Sequence, residues 1–446
     1  MKDRSTIVFI LVLVLISGLM GYNFFKKPFL RQHLLQQQQQ NLISTQEVVQ
    51  KSDPIQYSAQ EKISQLIAYP LTINQELVAA IPDAIEAEEM EMEKGLEGFD
   101  QEDNESATVS SDLNQKIVQA KAKWQALQSF NPGFVTFFGE QISQEQAFLT
   151  SKHIVTLTKY KKLKPLLAVD HEGGRVQRLS GAGFTQLDSW QELCSEPKNQ
   201  LEASLSASAK ELAEVGINVV FAPVIDISAQ QPVMGDRVCA DAIDTLAAAE
   251  IYVTEFAQYG IMPVLKHFPG MGNIQSDPHT TQPEIEIGPI DTNIFNDLVD
   301  KYVNIGVMTS HVRLKNRLDG LPCSLSKKCL NSFAQYSPEV TLFTDALDMA
   351  AADFIPEDEQ ATVSAGIPPV NTSDLALRAE QALRAGNYVL VFGEGITADD
   401  LKLVRSYLLN IYQTDEEFKQ IVDERFARIL DFKYTNQAAI GPVIND

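Results

Sequence analysis

The sequence has few basic residues relative to its acidic ones. Its 446 residues include 36 Lys and Arg against 59 Asp and Glu, which gives a formal net charge of −23 at pH 7. A negative field of this size repels nucleic acid and anionic lipid headgroups, so we expect neither to bind the folded domain. With 44% hydrophobic residues, the chain can form one large barrel domain or two to three average ones.

Several short motifs are also missing. No C-x-x-C pair occurs among the four cysteines, so a zinc or thioredoxin-like site is not indicated. Cys323 and Cys329 could pair in an oxidising compartment, but we expect packing residues rather than a disulfide. The absence of G-x-G-x-x-G after the early strands argues against dinucleotide binding. Neither H-x-H nor H-E-x-x-H occurs, so a metal-dependent hydrolase built on Asp226, Asp277 and His279 is not supported.

The longest apolar run lies at the N-terminus. Residues 7–25 are apolar apart from Ser17, Gly18, Gly21, Tyr22 and Asn23, with basic residues on both sides. Nineteen residues are just enough for a helix to span a bilayer. A cleaved signal peptide is the alternative, but its apolar core is usually shorter. We therefore expect residues 1–31 to be a signal anchor, whose orientation the flanking charges leave open, and residues 32–57 to be a polar linker.

A single globular region is predicted for residues 58–435, with a tail at 436–446. Between residues 83 and 112 lie twelve acidic residues and one basic residue, which predicts a solvated or disordered acidic insertion, partly helical at most. Elsewhere, short apolar runs alternate with amphipathic stretches. The predicted strands are Gln65–Leu71, Phe134–Phe138, Leu166–Asp170, Val219–Asp226, Ile261–His267, Gly306–Val312, Val340–Leu347 and Tyr388–Phe392. Eight such units predict an α/β fold, a (β/α)8 TIM-type barrel, with a doubly wound sheet as the alternative.

Polar side chains follow many of these strands. They are Asp170 with Glu172 and Arg175, Asp226, Lys266 with His267, His311, and Asp345. One such aspartate could simply cap the next helix. Five strand ends of this kind indicate a shared site, because all strand ends of a barrel converge on one face.

Two of these segments carry recognisable chemistry. In Asp277-x-His279, the carboxylate can bond one imidazole nitrogen, which fixes the tautomer and makes the other nitrogen a general acid/base. This spacing is common and says little by itself. Asp345 follows an apolar strand, where a carboxylate can attack an anomeric carbon and form a covalent glycosyl-enzyme. The competing interpretation of Asp345 is a helix N-cap.

Four segments together resemble glycoside hydrolase family 3. The segment LAVDHEGGRVQRL (167–179) is similar to the family's V-D-Q-E-G-G-R-V-x-R-L, and GINVVFAPVIDI (216–227) to G-I-N-x-x-F-A-P-V-x-D. The segment KHFPGMGNIQSDPH (266–279) has the spacing of K-H-F-P-G-H-G-D-x-x-x-D-S-H, and Asp345 lies in a T-D-x-L-x-M segment. The resemblance covers about residues 58–435 except the acidic insertion, and it implies the barrel fold.

The resemblance implies a role for individual residues. Asp345 aligns with the catalytic nucleophile, and Asp277 with His279 aligns with the acid/base pair of the N-acetylglucosaminidase branch. Asp170, Lys266 and His267 align with residues that bind sugar hydroxyls, and Arg237 aligns more loosely with another. Without the family, Lys266 would be interpreted as an ion-paired barrel residue and Arg237 as a surface residue. No metal or organic cofactor is implied.

The chain departs from the family pattern at three positions of the acid/base segment. Met271 replaces His, Asn273 replaces Asp and Pro278 replaces Ser. The first two remove groups that could hydrogen-bond within the loop, and Pro278 fixes one backbone angle and removes an N–H.

We expect an active, monomeric, membrane-anchored retaining β-N-acetylhexosaminidase with an extracytoplasmic domain. Its expected substrate is a glycan with terminal β-linked N-acetylglucosamine, such as a peptidoglycan fragment, although transfer to phosphate is an open alternative to hydrolysis. A catalytically degenerate glycan-binding relative is the alternative to an enzyme.

Overall fold

The computed structural model describes residues 57–81, 104–230, 233–315, 319–334, 340–354 and 375–435. The predicted membrane anchor, the linker up to residue 56, residues 83–103 of the acidic insertion and the tail lie outside the described residues. Within the described ranges, no helix is both long and apolar enough to cross a bilayer.

In the described part of the chain, eight parallel strands form one sheet. They are β1 (Ile67–Thr72), β2 (Phe134–Phe138), β3 (Leu166–Val169), β4 (Val219–Val220), β5 (Met262–Phe268), β6 (Gly306–Thr309), β7 (Thr341–Thr344) and β8 (Leu390–Val391). From β1 to β7 each strand pairs with the next along the chain, and β8 pairs with β1. An isolated parallel bridge between Phe343 and Val389 joins β7 to the start of β8. The sheet is therefore a nearly closed barrel of eight parallel strands, and the predicted α/β fold is confirmed.

The helices lie between and after these strands. The described ones are α1 (Ala59–Gln65), α2 (Gln75–Ala79), α3 (Asn104–Phe130), α4 (Gln144–Leu157), α5 (Trp190–Leu193), α6 (Lys198–Glu214), α7 (Ala242–Gln258), α8 (Pro289–Lys301), α9 (Lys327–Ala334), α10 (Leu375–Ala385), α11 (Ala398–Thr414) and α12 (Glu416–Thr435). Single 3₁₀ turns cover Gly235–Arg237, Cys323–Leu325 and Ala350–Ala352. Two short ribbons pair His171–Gly173 with Val176–Gln177 and Glu284–Ile285 with Arg313–Leu314.

The barrel interior is filled by aromatic side chains. The ring of Phe343 on β7 lies 5.6 Å from that of Phe134 on β2 and 5.9 Å from that of Phe221, which follows β4. These contacts cross the barrel, and all three residues are buried. Strands that are covered on both faces consist of continuous apolar runs. For this reason the positions of the strands could be predicted from the sequence.

One local prediction needs correction. Strand β4 ends at Val220 rather than Asp226, because Pro223 has no N–H for the sheet; pairing resumes as a bridge between Val224 and Lys266. Helix α3 begins at Asn104, so the last residues of the acidic insertion are helical, which agrees with the partly helical character that the sequence allowed.

The cysteines form two disulfides, Cys194–Cys239 and Cys323–Cys329. The prediction that Cys323 and Cys329 are unpaired packing residues is therefore wrong, and the pairing of the other two was not foreseen. The Cα atoms of the two pairs lie 6.3 and 5.3 Å apart, within the range that a disulfide bridges. The first pair joins the end of α5 to the loop that carries Arg237, a contact that only the fold creates.

Candidate active site

A network of buried charges lies at the carboxyl ends of β3 and β5. The Nζ atom of Lys266 is 2.8 Å from Asp170 Oδ1 and 2.6 Å from Glu172 Oε1. Arg237 binds the same Glu172 carboxylate with two nitrogens, Nε and Nη2, each at 2.8 Å. Lys266 and Glu172 are almost fully buried, and Arg237 is mostly so. These four side chains, Asp170, Glu172, Arg237 and Lys266, form the fixed, polar floor of the site.

The floor holds its groups in their charged forms. Burial raises the pKa of Glu172, but Arg237 and Lys266 outweigh it and hold that pKa well below the ordinary range. Burial lowers the pKa of Lys266, but Asp170 and Glu172 outweigh it, so the pKa is raised. In such a network each charge is compensated by opposite charge at hydrogen-bonding distance, which a buried ion requires.

The turn that presents Glu172 depends on glycine. Gly173 has φ of +97°, and a Cβ atom there would lie 2.3 Å from the carbonyl oxygen of Asp188. A side chain at this position would therefore displace the ribbon next to Glu172. This is a physical reason for the Gly-Gly pair after Glu172 in the sequence motif.

His267 lies beside this floor, held by Asp226. The Nδ1 atom of His267 is 2.7 Å from Asp226 Oδ2, and its backbone N–H donates to the same oxygen at 3.2 Å. The other carboxylate oxygen, Oδ1, accepts from the backbone N–H of Met271 at 2.7 Å. Asp226 thus fixes both a predicted sugar-binding residue and the start of the predicted acid/base loop.

Asp345 follows β7 at the same face of the barrel. Its backbone N–H donates to the carbonyl of Thr309 on β6, and its Oδ1 accepts from the N–H of Ala346 at 2.8 Å. Burial raises its pKa, but neighbouring groups, among them His267, the Ala346 N–H and Lys266, outweigh burial and lower the pKa below the ordinary value. The carboxylate is therefore ionised at neutral pH and lies within electrostatic reach of Lys266 and His267.

Asp277 and His279 form a hydrogen-bonded pair on a more exposed loop. Nδ1 of His279 is 2.7 Å from Asp277 Oδ1, which also accepts the His279 N–H at 2.9 Å. Their side chains are 56% and 67% exposed. The N–H groups of Ala350 and Ala351 donate to the carbonyls of His279 and Pro278, so the loop contacts the segment after Asp345.

The three departures from the family pattern leave this loop anchored. Met271 is buried, and Asn273 Oδ1 accepts from the hydroxyl of Ser228 at 2.9 Å, so the loop keeps a hydrogen bond where one was expected to be lost. Pro278 sits between the two members of a pair that is intact in the structure.

The structure also shows the partners of site residues for which the sequence indicated no specific role. Glu172 and Asp226 were noted as strand-end residues, but their partners come from distant parts of the chain. The family-independent interpretation of Arg237 as a surface residue is wrong, because the side chain is paired with Glu172.

A polar pocket of about 570 Å³ lies at the same face, beside the ends of β1 and β2. Its lining includes Asn74, Glu140, Gln141, Arg178 and Glu394. The backbone N–H of Arg178 donates to the carbonyl of Asp170, so the pocket adjoins the floor. The signal that could have found Arg178 is its position in the same motif as Asp170.

Comparison with known proteins agrees with the fold and the motifs. The chain matches the sequence model of the glycosyl hydrolase family 3 N terminal domain over residues 59–431, and it belongs to that family. The resemblance drawn from the motifs is thereby confirmed.

Among its relatives are proteins named Beta-hexosaminidase. That of Mannheimia succiniciproducens is 32% identical over 260 residues, covering 54% of this chain and 70% of the relative. That of Psychromonas ingrahamii is 32% identical over 212 residues, covering 45% of this chain and 62% of the relative, which is less than two thirds of its length. A solved Beta-N-acetylhexosaminidase from Beutenbergia cavernae shares the fold, with a TM-score of 0.61, 20% identity and coverage of 85% and 99% of the two chains.

Proposed function

We propose that the protein is a retaining β-N-acetylhexosaminidase that hydrolyses terminal β-linked N-acetylglucosamine. The observation that carries this proposal is the 2.7 Å contact between His279 Nδ1 and Asp277 Oδ1. Because a carboxylate oxygen accepts, Nδ1 is the donating nitrogen, and Nε2 is left to exchange a proton with a substrate. The names of the relatives support the amino sugar as substrate.

In the first step, Asp345 attacks the anomeric carbon. A bond forms between a carboxylate oxygen and C1, the bond from C1 to the leaving oxygen breaks, and protonated His279 gives its Nε2 proton to that oxygen. In the second step, neutral His279 takes a proton from water, the water oxygen bonds to C1 and the Asp345 carboxylate leaves. Two displacements at C1 retain its configuration.

The buried floor is proposed to bind the sugar. Asp170 keeps about a fifth of its side chain exposed while it holds Lys266, so it can also accept from a sugar hydroxyl. Lys266, His267 and Arg237 supply donors. The pocket beside Arg178 offers room for a further part of the glycan.

A location outside the cytoplasm, with the N-terminal segment as a membrane anchor, is part of this proposal. The two disulfides support it, because disulfides persist mainly in oxidising compartments. Peptidoglycan fragments would be a natural source of β-linked N-acetylglucosamine in that location.

The test is release of a fluorogenic aglycone from an N-acetyl-β-glucosaminide by the full-length chain, with Asp345→Asn alongside. We expect turnover that falls by at least about 10⁴-fold in the variant, because the charge that forms the covalent bond is lost. Proton NMR of the first-formed sugar should show the β-anomer. Sugar binding without turnover, with phosphate also tried as acceptor, would contradict the proposal and favour a degenerate glycan-binding protein.

A further inference from the structure

A buried polar cluster lies against the backbone that follows Asp345. The imidazole of His311, which follows β6, is 3.0 Å from the carbonyl oxygen of Ala346 through Nε2. Through Nδ1 it is 2.6 Å from the hydroxyl oxygen of Ser324. His311 is 1% exposed and Ser324 is fully buried. The cluster thus contacts the residue that follows Asp345 in the chain.

These contacts determine the tautomer of His311. A carbonyl oxygen can only accept, so Nε2 must carry the hydrogen that it donates to Ala346. In the neutral ring, Nδ1 is then an acceptor, and the Ser324 hydroxyl donates to it. Burial and the charge of Arg378 lower the pKa of His311, and they outweigh Asp345, the Ala346 carbonyl and Asp348, which raise it.

The backbone of Ala346, the residue after Asp345, is consequently held at both its N–H and its carbonyl. Its N–H donates to the Asp345 carboxylate at 2.8 Å, and the carbonyl of Ala346 accepts from His311. The N–H of Asp345 itself is bound to Thr309. Because the carboxylate is attached to this stretch of backbone, its direction depends on the stretch staying in place.

Ser324 is itself fixed by its surroundings. Its carbonyl oxygen accepts from Asn387 Nδ2 at 2.7 Å, and Asn387 Oδ1 accepts from the hydroxyl of Thr309 at 2.8 Å. The disulfide Cys323–Cys329 closes the short turn that contains Ser324. A chain of buried hydrogen bonds thus runs from Thr309 through Asn387 and Ser324 to His311, and it begins and ends at backbone next to Asp345.

We propose that His311 and Ser324 are positioning residues that fix the direction of the Asp345 carboxylate, and that the Cys323–Cys329 disulfide holds Ser324 in place for this task. The inference rests on the proposed function, since it assumes that Asp345 is the nucleophile. Both side chains are buried, and neither is among the residues proposed to bind the sugar, so their loss should act on the rate of the covalent step rather than on sugar binding.

The first test compares two serines of the same disulfide-closed turn. Ser324→Ala removes the donor to His311, whereas Ser326→Ala removes a buried hydroxyl that bonds Asp319 and the Cys329 N–H instead. We expect Ser324→Ala to lower kcat about 10–100-fold with KM changed by less than about 2-fold, because a small displacement of a reacting group costs rate. Ser326→Ala should leave kcat within about 2-fold, whatever it does to the melting temperature. Equal losses of kcat in the two variants, or no loss in Ser324→Ala, would overturn the proposal.

A second pair of variants guards against simple misfolding. His311→Gln keeps an N–H that can reach the carbonyl of Ala346, whereas His311→Leu does not. We expect Gln to retain most of the kcat that Leu loses, at similar melting temperatures of the two variants. A Gln variant as slow as Leu would contradict a role that depends on this hydrogen bond.

A spectroscopic readout separates failure of this inference from failure of the proposed function. In the full chain labelled with ¹⁵N-histidine, the His311 signals, assigned by their loss in His311→Gln, should show the neutral Nε2–H tautomer at pH 7.5. A charged ring or an Nδ1–H tautomer overturns the inference even if the enzyme is active. If the wild type is inactive but shows the expected His311 spectrum, the proposed function is contradicted and the positioning role with it. The hydrogen-bond arrangement around His311 would then still be confirmed.

Discussion

Among the residues that the structure describes, two lysines are buried, one at each end of the barrel, and their environments are opposite. Lys266 lies at the carboxyl ends of the strands between two carboxylates, Asp170 and Glu172. Lys433, on α12, lies at the amino ends, where Nζ donates to Gln65 Oε1 at 2.6 Å and to the carbonyl of Lys164 at 2.8 Å. Both acceptors are neutral. Burial lowers the pKa of Lys433 to about 7, whereas that of Lys266 is raised.

The difference shows that a buried lysine has opposite consequences at the two ends of the barrel. At the mouth, the cation is held charged by anions, which gives a preformed polar surface for a ligand. At the base, the same side chain fills space and bonds backbone, and its charge is a cost to folding at neutral pH. A buried lysine therefore indicates a site only together with the carboxylates that hold it charged.

The largest loss of stability is expected from Glu172→Gln, which removes the anion shared by Lys266 and Arg237. Two buried cations would keep too few partners, so we expect a loss of about 3–5 kcal/mol in the free energy of unfolding, together with weak sugar binding. Urea denaturation at pH 7 measures it.

The matched control is Glu250→Gln, which breaks the solvent-exposed ion pair with Lys301. A surface pair of this kind contributes at most about 1 kcal/mol. Equal destabilisation by the two substitutions would show that the floor is not held by its charges.

A smaller effect is expected from Lys433→Met, and it depends on pH. The unfolded lysine has a pKa near 10.5 and the folded one about 7, so the unfolded state binds more protons between these values. Stability of the wild type is therefore lost as pH falls from 10.5 towards 7. The difference in unfolding free energy between Met variant and wild type should shift in favour of Met by about 2 kcal/mol from pH 9 to pH 7. A difference that does not change with pH would mean that Lys433 is charged in the folded protein.

Among the substitutions of buried charges, the smallest change in stability is expected from Asp170→Asn. Lys266 keeps Glu172, and the amide oxygen can still accept, so we expect a loss of about 1–2 kcal/mol in unfolding free energy. Because Asp170 is also proposed to bind a sugar hydroxyl, the KM of the variant should rise as well. Expressed as a free energy, this rise should exceed the loss in unfolding free energy. An unchanged KM would restrict Asp170 to the role of an ion-pair partner.

The strands and the Asp277–His279 pair were predictable because their signals are local. Apolar runs identify strands that are buried on both faces, and a two-residue spacing is enough to place a carboxylate beside an imidazole. The partners of Glu172 were not predictable from pattern, since Arg237 lies 65 residues away and only the fold joins them. The same holds for Cys194 and Cys239, 45 residues apart, and for the link from Asn387 to Ser324.

The most direct test of the central claim is to trap the covalent intermediate. The full-length chain would be incubated with a fluorinated N-acetylglucosaminide that has a good leaving group and slow second step, then analysed by intact-mass and peptide mass spectrometry. We predict one added fluorinated N-acetylglucosaminyl unit, located on the peptide that contains Asp345 and absent in Asp345→Asn. Turnover of the parent substrate without any adduct, or an adduct on another carboxylate such as Asp170 or Asp226, would contradict the account.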